Sequence, residues 1–210
     1  MNKETKGYLS VVISAVSTVA KLVAGAVSLS VFTVLSAFYS CGFLIAKALC
    51  LKGRKESGAK RRVSLYLSVA GVTGASAIFY TVGAVRQLVD PVGFGYGMIA
   101  AITIAAVSFY DLGAAIAGLI GAAKAKDGFG VELKRINLSG ALAALALTQT
   151  ALLSVSGGQA LSSSGITGVV AGAVTAIGSL LSALKGFRLR AAVKKAEETN
   201  AERVLSDKVD

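Results

Sequence analysis

No histidine and no tryptophan occur among the 210 residues, and there are only one proline and two cysteines. Without histidine the chain lacks the commonest protein ligand for zinc and the usual general base at neutral pH. Serine is abundant, but a serine nucleophile needs a base beside it. No phosphate-cradling loop and no cluster of metal-ligating residues is visible. The chain is therefore not expected to be an enzyme, and no cofactor is implied. Cys41 and Cys50 stand nine positions apart in one apolar run. At roughly 100° per helical residue they project from opposite sides, so neither a bridge nor a metal pair follows. Both read as small buried hydrophobes.

Charge is the other scarcity. Charged residues make up 16% of the chain, against about 25% in an ordinary soluble domain. Hydrophobic residues make up 54%, and the mean hydropathy is +0.70. Residues 136–184 include no charge over 49 positions, and the run breaks only at the small polar stretch 156–165. One membrane crossing needs about 20 apolar residues, so this segment reads as two spans and a turn. The pattern recurs, and six spans are expected at 8–29, 31–51, 63–85, 92–123, 136–155 and 165–184. The fold class is an all-α, polytopic bundle of six transmembrane helices. Met1 to Lys6 is charged, yet the apolar stretch behind it exceeds a signal h-region, so the first span is expected to be retained. The 24 glycines suit membrane helices. Tryptophan is missing from any aromatic belt, although Tyr8, Tyr66, Tyr80 and Tyr96 lie near proposed helix ends.

The connections differ sharply in charge. Residues 52–62 contain Lys52, Arg54, Lys55, Lys60, Arg61 and Arg62 against Glu56. Residues 124–135 contain four basic residues against Asp127 and Glu132. The alternate connections hold almost no charge: none at 28–30 or 156–165, and Arg86 with Asp90 between the third and fourth spans. Basic loops stay on the cytoplasmic side. Both termini are therefore expected inside, most naturally in a bacterial cytoplasmic membrane. Topology then accounts for most of the +11 net charge, and no nucleic-acid partner is implied. The expected division is a transmembrane domain over 1–184 and a basic, helical, cytoplasmic tail over 185–210. Phe187, Leu189 and Val193 of that tail could lie on the membrane surface. Past Lys195 the mixed charge suggests fraying. Expected partners are the bilayer, a second copy in a homodimer, and a cytoplasmic protein or anionic lipid at the basic loops. Small residues at short spacing (Gly71 and Gly74; Gly113, Ala117 and Gly121; Gly168, Gly172 and Ala176) mark faces where helices approach closely.

Two ionisable residues fall deep within spans, Lys21 and Asp111. Each lies about 18–20 Å from the basic side at 1.5 Å per residue. Matching depth permits an intramembrane charge pair, because a lone charge there is costly. The pair could serve a proton- or cation-coupled site, or act as a structural bridge. Lys47 is expected to snorkel to the headgroups. Thr148, Gln149 and Thr150 form a polar step in the fifth span, and Gln149 could hydrogen-bond across helices. Tyr39, Thr148 and Gln149 are candidate residues of a polar cavity. Gly93-Phe94-Gly95-Tyr96-Gly97 has the look of a potassium filter, but the residues before it read as an external turn, not a re-entrant pore helix.

The order of segments resembles the membrane domain of cation diffusion facilitators, the zinc and manganese proton antiporters. Lys21-Leu22-Val23-Ala24-Gly25 and residues 28–35 resemble that family's first helix and short external turn. Ala84-Val85-Arg86-Gln87-Leu88-Val89-Asp90-Pro91 resembles the end of its third helix. The six-span arrangement, with its basic second-to-third loop, agrees in length. The family's metal ligands are a carboxylate or histidine four residues before an aspartate, on the second and fifth helices. One helical turn sets such residues on one face, converging on a tetrahedral ion. Here the matching positions are Tyr39 and Phe43, then Ala141 and Leu145, none of them a divalent-metal ligand. The resemblance thus implies a transporter-like protein without the zinc site and without the family's C-terminal domain. Its substrate is unnamed, and proton coupling would run through Asp111. The alternative is a non-transporting membrane scaffold or accessory subunit that uses its basic cytoplasmic face.

Overall fold

A computed structural model describes residues 31–91, 98–124, 128–156 and 162–206, together with Val12. The described residues form five helices and no strand: α1 (Val31–Lys55), α2 (Ala59–Val89), α3 (Met98–Lys124), α4 (Gly128–Val155) and α5 (Ser162–Ser206). Apart from Val12, the expected first span at 8–29 lies outside the described residues, and so does the glycine-rich segment 93–97. Among the described residues, three helical stretches are long and apolar enough to cross a membrane: Ala59–Val89, Gly128–Leu153 and Ser163–Asn200.

The helices run past their apolar windows into the basic segments. α1 continues to Lys55 and α2 begins at Ala59, leaving 56–58 as the turn. The amide of Arg62 closes the first turn of α2 on the Gly58 carbonyl at 3.0 Å. α4 begins eight residues before the expected 136, at Gly128. Glu132, Lys134 and Arg135 are therefore helical. α5 runs unbroken for 45 residues, about 67 Å at the usual rise. The mixed charge past Lys195 does not fray the helix as expected; it persists to Ser206. Lys60 of α2 meets Glu197 at 2.8 Å, and Lys194 meets Glu198 at 3.6 Å one turn on.

Packing follows a closed circuit. The broadest contact joins α2 to α5, and α1 packs on α2, α4 on α5, and α1 on α4. α3 packs against α4. The core inside the circuit draws Tyr39, Phe43, Ala46 and Cys50 from α1, Tyr66, Val69 and Tyr80 from α2, Phe129, Leu133 and Ile136 from α4, and Ala171 from α5. Large apolar side chains also point outward, among them Ile78, Phe79 and Val82 of α2, Ile99 and Phe109 of α3, and Ile177 and Leu180 of α5. Apolar surface on this scale is what lipid covers and water does not. Threonines inside the helices bond back to their own turns: Thr81 to Ala77 at 2.8 Å and Thr150 to Ala146 at 3.0 Å. In hydrocarbon that local bond satisfies a hydroxyl without a distant partner.

Small residues let α5 lie close on α2. A Cβ on Gly165 would stand 2.7 Å from the Leu88 backbone nitrogen, and one on Gly168 would stand 2.7 Å from the Ala84 Cβ. The small face expected at Gly168 and Gly172 is thus a packed interface. Gly71, Gly113 and Gly121 instead face open space.

Candidate functional site

The candidate site lies inside the circuit of α1, α2, α4 and α5. Tyr39 of α1 is 1% exposed. Its ring stacks on Tyr80 of α2 at 4.4 Å and meets Phe43 at 4.1 Å. Its hydroxyl donates to the Ser139 carbonyl of α4 at 3.2 Å and shares a hydrogen bond with Thr175 of α5 at 2.8 Å. Tyr80 donates to the Ala143 carbonyl at 3.3 Å. The two phenols therefore tie α1 and α2 to the backbone of α4. Both partners are carbonyls already inside a helix, each with a second lone pair to offer.

Glu132 lies two turns from Ser139 toward the basic end, about 10 Å along α4. It is 2% exposed. Ser182 of α5 donates to one carboxylate oxygen, and Arg135 reaches the other at 3.0 Å. Ser182 also bonds the Gly178 carbonyl at 3.0 Å. Between Glu132 and Thr175 is a cavity of about 20 Å³, lined by Phe43, Thr73, Ser139 and Ser182 among others. That is room for one water, and the polar lining offers it partners.

Aromatic packing closes the basic end below the carboxylate. Tyr66 of α2 stacks on Phe129 of α4 at 4.1 Å. Lys185 of α5 lies 5.2 Å from the Tyr66 ring centre, and Arg62 lies 5.8 Å from that of Phe129. Both are cation–π distances. A Cβ on Gly53 would sit 2.5 Å from the Phe129 ring, so the bare backbone of α1 makes room for it.

The expected polar residues take separate places. Tyr39 belongs to the central set. Thr148 lies further along α4 and is hydrogen-bonded to Ser108 of α3 at 2.8 Å and to the Ala144 carbonyl at 2.9 Å. Gln149 is half-buried, and its Oε1 is buried with no hydrogen-bond partner among the described residues. Asp111 is exposed on α3, beside exposed Phe109 and Tyr110. Lys21 lies outside the described residues. Lys47 is 8% exposed, so it lies within the bundle instead of snorkelling along the outside. Cys50 is buried, Cys41 is half-buried, and both are free thiols. Of the positions matched to the diffusion-facilitator metal ligands, Tyr39, Phe43 and Ala141 are buried and Leu145 is half-buried.

Hydropathy makes 124–135 a charged connection, yet the register of Glu132 is visible in the sequence. Phe129, Glu132, Leu133 and Ile136 follow the i, i+3, i+4, i+7 spacing of one helix face, and all four are buried. No family model matches the chain, and no curated protein or solved structure matches it.

Proposed function

We propose that this chain is an integral membrane protein whose bundle is a packed scaffold or accessory subunit, with both termini cytoplasmic. One observation carries the reading. The centre of the bundle, where a solute path would run, is filled by Tyr39, whose ring contacts both Phe43 and Tyr80. The long basic extension of α5 supports the same reading, because it presents a rigid surface beyond the apolar part of the helix. The proposal includes six crossings: the three strongly apolar helices, α1, α3 and the segment at 8–29. Descent from the diffusion facilitators is part of the proposal, supported by segment order, with rings at Tyr39 and Phe43 and aliphatic side chains at Ala141 and Leu145 where metal ligands would stand. Proteoliposomes loaded with a pH-sensitive dye test the reading. Imposed cation gradients and a metabolite mixture should give no flux above protein-free vesicles. Protein-dependent flux would overturn it.

The second reading is a proton-linked transporter. It is favoured by Glu132, a carboxylate inside the bundle that faces a water-sized cavity. Ionisable groups at such positions mark functional sites by default. In that case the flux exists and Glu132→Gln abolishes it while the folded bundle persists.

A further inference from the structure

We propose that α2 and α5 hold one anionic phospholipid at the basic end of the bundle, in a groove that is part charged and part apolar. The inference rests on the membrane reading and is independent of whether the bundle conducts.

The charged part is an open groove of about 670 Å³ whose rim includes Lys60, Ser64 and Ser68 of α2 and Arg190, Lys194 and Glu197 of α5. Three cations face one carboxylate there, a net positive site with serine hydroxyls between them. Lys60 contacts Glu197 and Lys194 contacts Glu198, but the four side chains are 76%, 53%, 80% and 61% exposed. Exposed pairs of this kind are weak, and a phosphate can displace either.

A second groove of about 570 Å³ shares Leu67 with the first and continues along the same helix pair. Its walls are mostly apolar, Leu67, Ala70 and Gly71 of α2 with Ala176, Leu180 and Phe187 of α5, and Ser179 is the one polar side chain among them. The two helices run antiparallel, so both move away from the charged rim together. From Phe187 to Ala176 the groove follows α5 for about 16 Å, close to half of the ~30 Å hydrocarbon core. A phosphate-bearing head therefore meets the cations while one leaflet's depth of acyl chain lies against small residues. The small residues create the space, since a Cβ on Gly71 meets nothing within 4 Å. Charge selects an anionic head over a zwitterionic one, and the length and apolarity select a lipid over a soluble phosphate.

Native mass spectrometry of the full chain in detergent, titrated with phosphatidylglycerol or phosphatidylcholine, tests this. One phosphatidylglycerol should be retained in preference to phosphatidylcholine. Arg190→Ala and Lys194→Ala should each weaken that retention about fivefold, the effect of one surface cation on an anionic lipid. Lys124→Ala, at the end of α3, should leave it unchanged. Gly71→Phe fills the apolar groove from its open side and should weaken retention of both lipids without lowering the melting temperature. Equal retention of the two lipids, or indifference to all three groove variants, overturns the proposal. A dimer that forms without lipid and is broken by Gly71→Phe also overturns it, by assigning the groove to a second copy. Failure of the membrane reading looks different: alkaline carbonate would strip the chain from cell membranes.

Discussion

Ser182 of α5 donates a hydrogen bond to the carboxylate of Glu132 on α4, and both residues are nearly inaccessible. The bond joins two helices at the one buried carboxylate found among the described residues. Ser182→Ala leaves that carboxylate with Arg135 alone. A hydrogen bond to a charged group contributes about 1.5–3 kcal/mol, and Ser182→Ala should lose that much in detergent melting or steric-trapping measurements. Glu132→Gln keeps an acceptor for Ser182 and should cost less than Glu132→Ala, which leaves both Ser182 and Arg135 facing the vacated space. Equal losses for Gln and Ala would mean that the charge, not the hydrogen bond, holds the helices.

The Tyr39 hydroxyl and ring make separable contributions. Tyr39→Phe removes the bonds to Thr175 and the Ser139 carbonyl but keeps the ring on Tyr80. Interhelical hydrogen bonds inside membrane proteins average about 0.6 kcal/mol, so the loss should be near or below 1 kcal/mol. Tyr39→Ala also opens a cavity in the core, and large aromatic truncations cost about 3–5 kcal/mol. Thermal melts of the two variants should therefore differ by several-fold in destabilisation. Similar losses would place the stabilisation in the hydroxyl.

Apolar windows revealed the helical class and the places of α1 to α5, because lipid demands long apolar segments with internally bonded backbone. The helix ends were not readable that way. Charged residues such as Lys52, Lys60 and Arg190 break an apolar window without breaking a helix, so α1, α2, α4 and α5 all extend further than hydropathy suggests. The same effect displaces the site: hydropathy puts Glu132 in a charged connection and Asp111 inside an apolar window. Tyr39 is legible as a polar group in a span, but its partners Thr175 and Ser139 are not, since pairing across helices depends on rotation about each axis. Periodicity could have corrected Glu132, given the stripe from Phe129 to Ile136.

Glycines in α5 and α3 should respond oppositely to one methyl group. A Cβ at Gly165 meets the Leu88 backbone, which cannot swing aside. Gly165→Ala should push α5 off α2 and destabilise the fold by about 1–3 kcal/mol, the usual overpacking cost. Gly113→Ala and Gly121→Ala point into open space and gain helix propensity, up to about 1 kcal/mol. Melting temperatures should fall for the first and hold or rise for the others. A fall at Gly113 or Gly121 would reveal a neighbour packed on that face of α3.

The proposed orientation rests on where the basic residues gather. Lys52 lies near the end of α1, Lys60 and Arg135 near the beginnings of α2 and α4, and Lys185 and Arg190 midway along α5, where its apolar part gives way to charge. Basic ends are retained in the cytoplasm. Ser57 lies in the exposed turn between α1 and α2, and position 160 falls between α4 and α5 in the sequence. In a chain with Cys41 and Cys50 replaced, Ala160→Cys should react with an impermeant maleimide from outside. Ser57→Cys should react only after permeabilisation. External labelling at position 57 would invert the orientation.

Asp111 supplies the last test. It is exposed on α3 amid apolar neighbours, a position where lipid contact would be costly to its charge. Lys21, at a similar depth by residue count, is the proposed partner. If the two meet, either single change to Ala strands the other charge. Breaking a buried pair by one partner costs about 3–5 kcal/mol, while replacing both can be nearly neutral. The double variant should therefore recover part of the loss, and the coupling in a double-mutant cycle should exceed about 0.5 kcal/mol. Strictly additive losses would separate the two residues. Asp111 would then need another cation or water at the surface of α3.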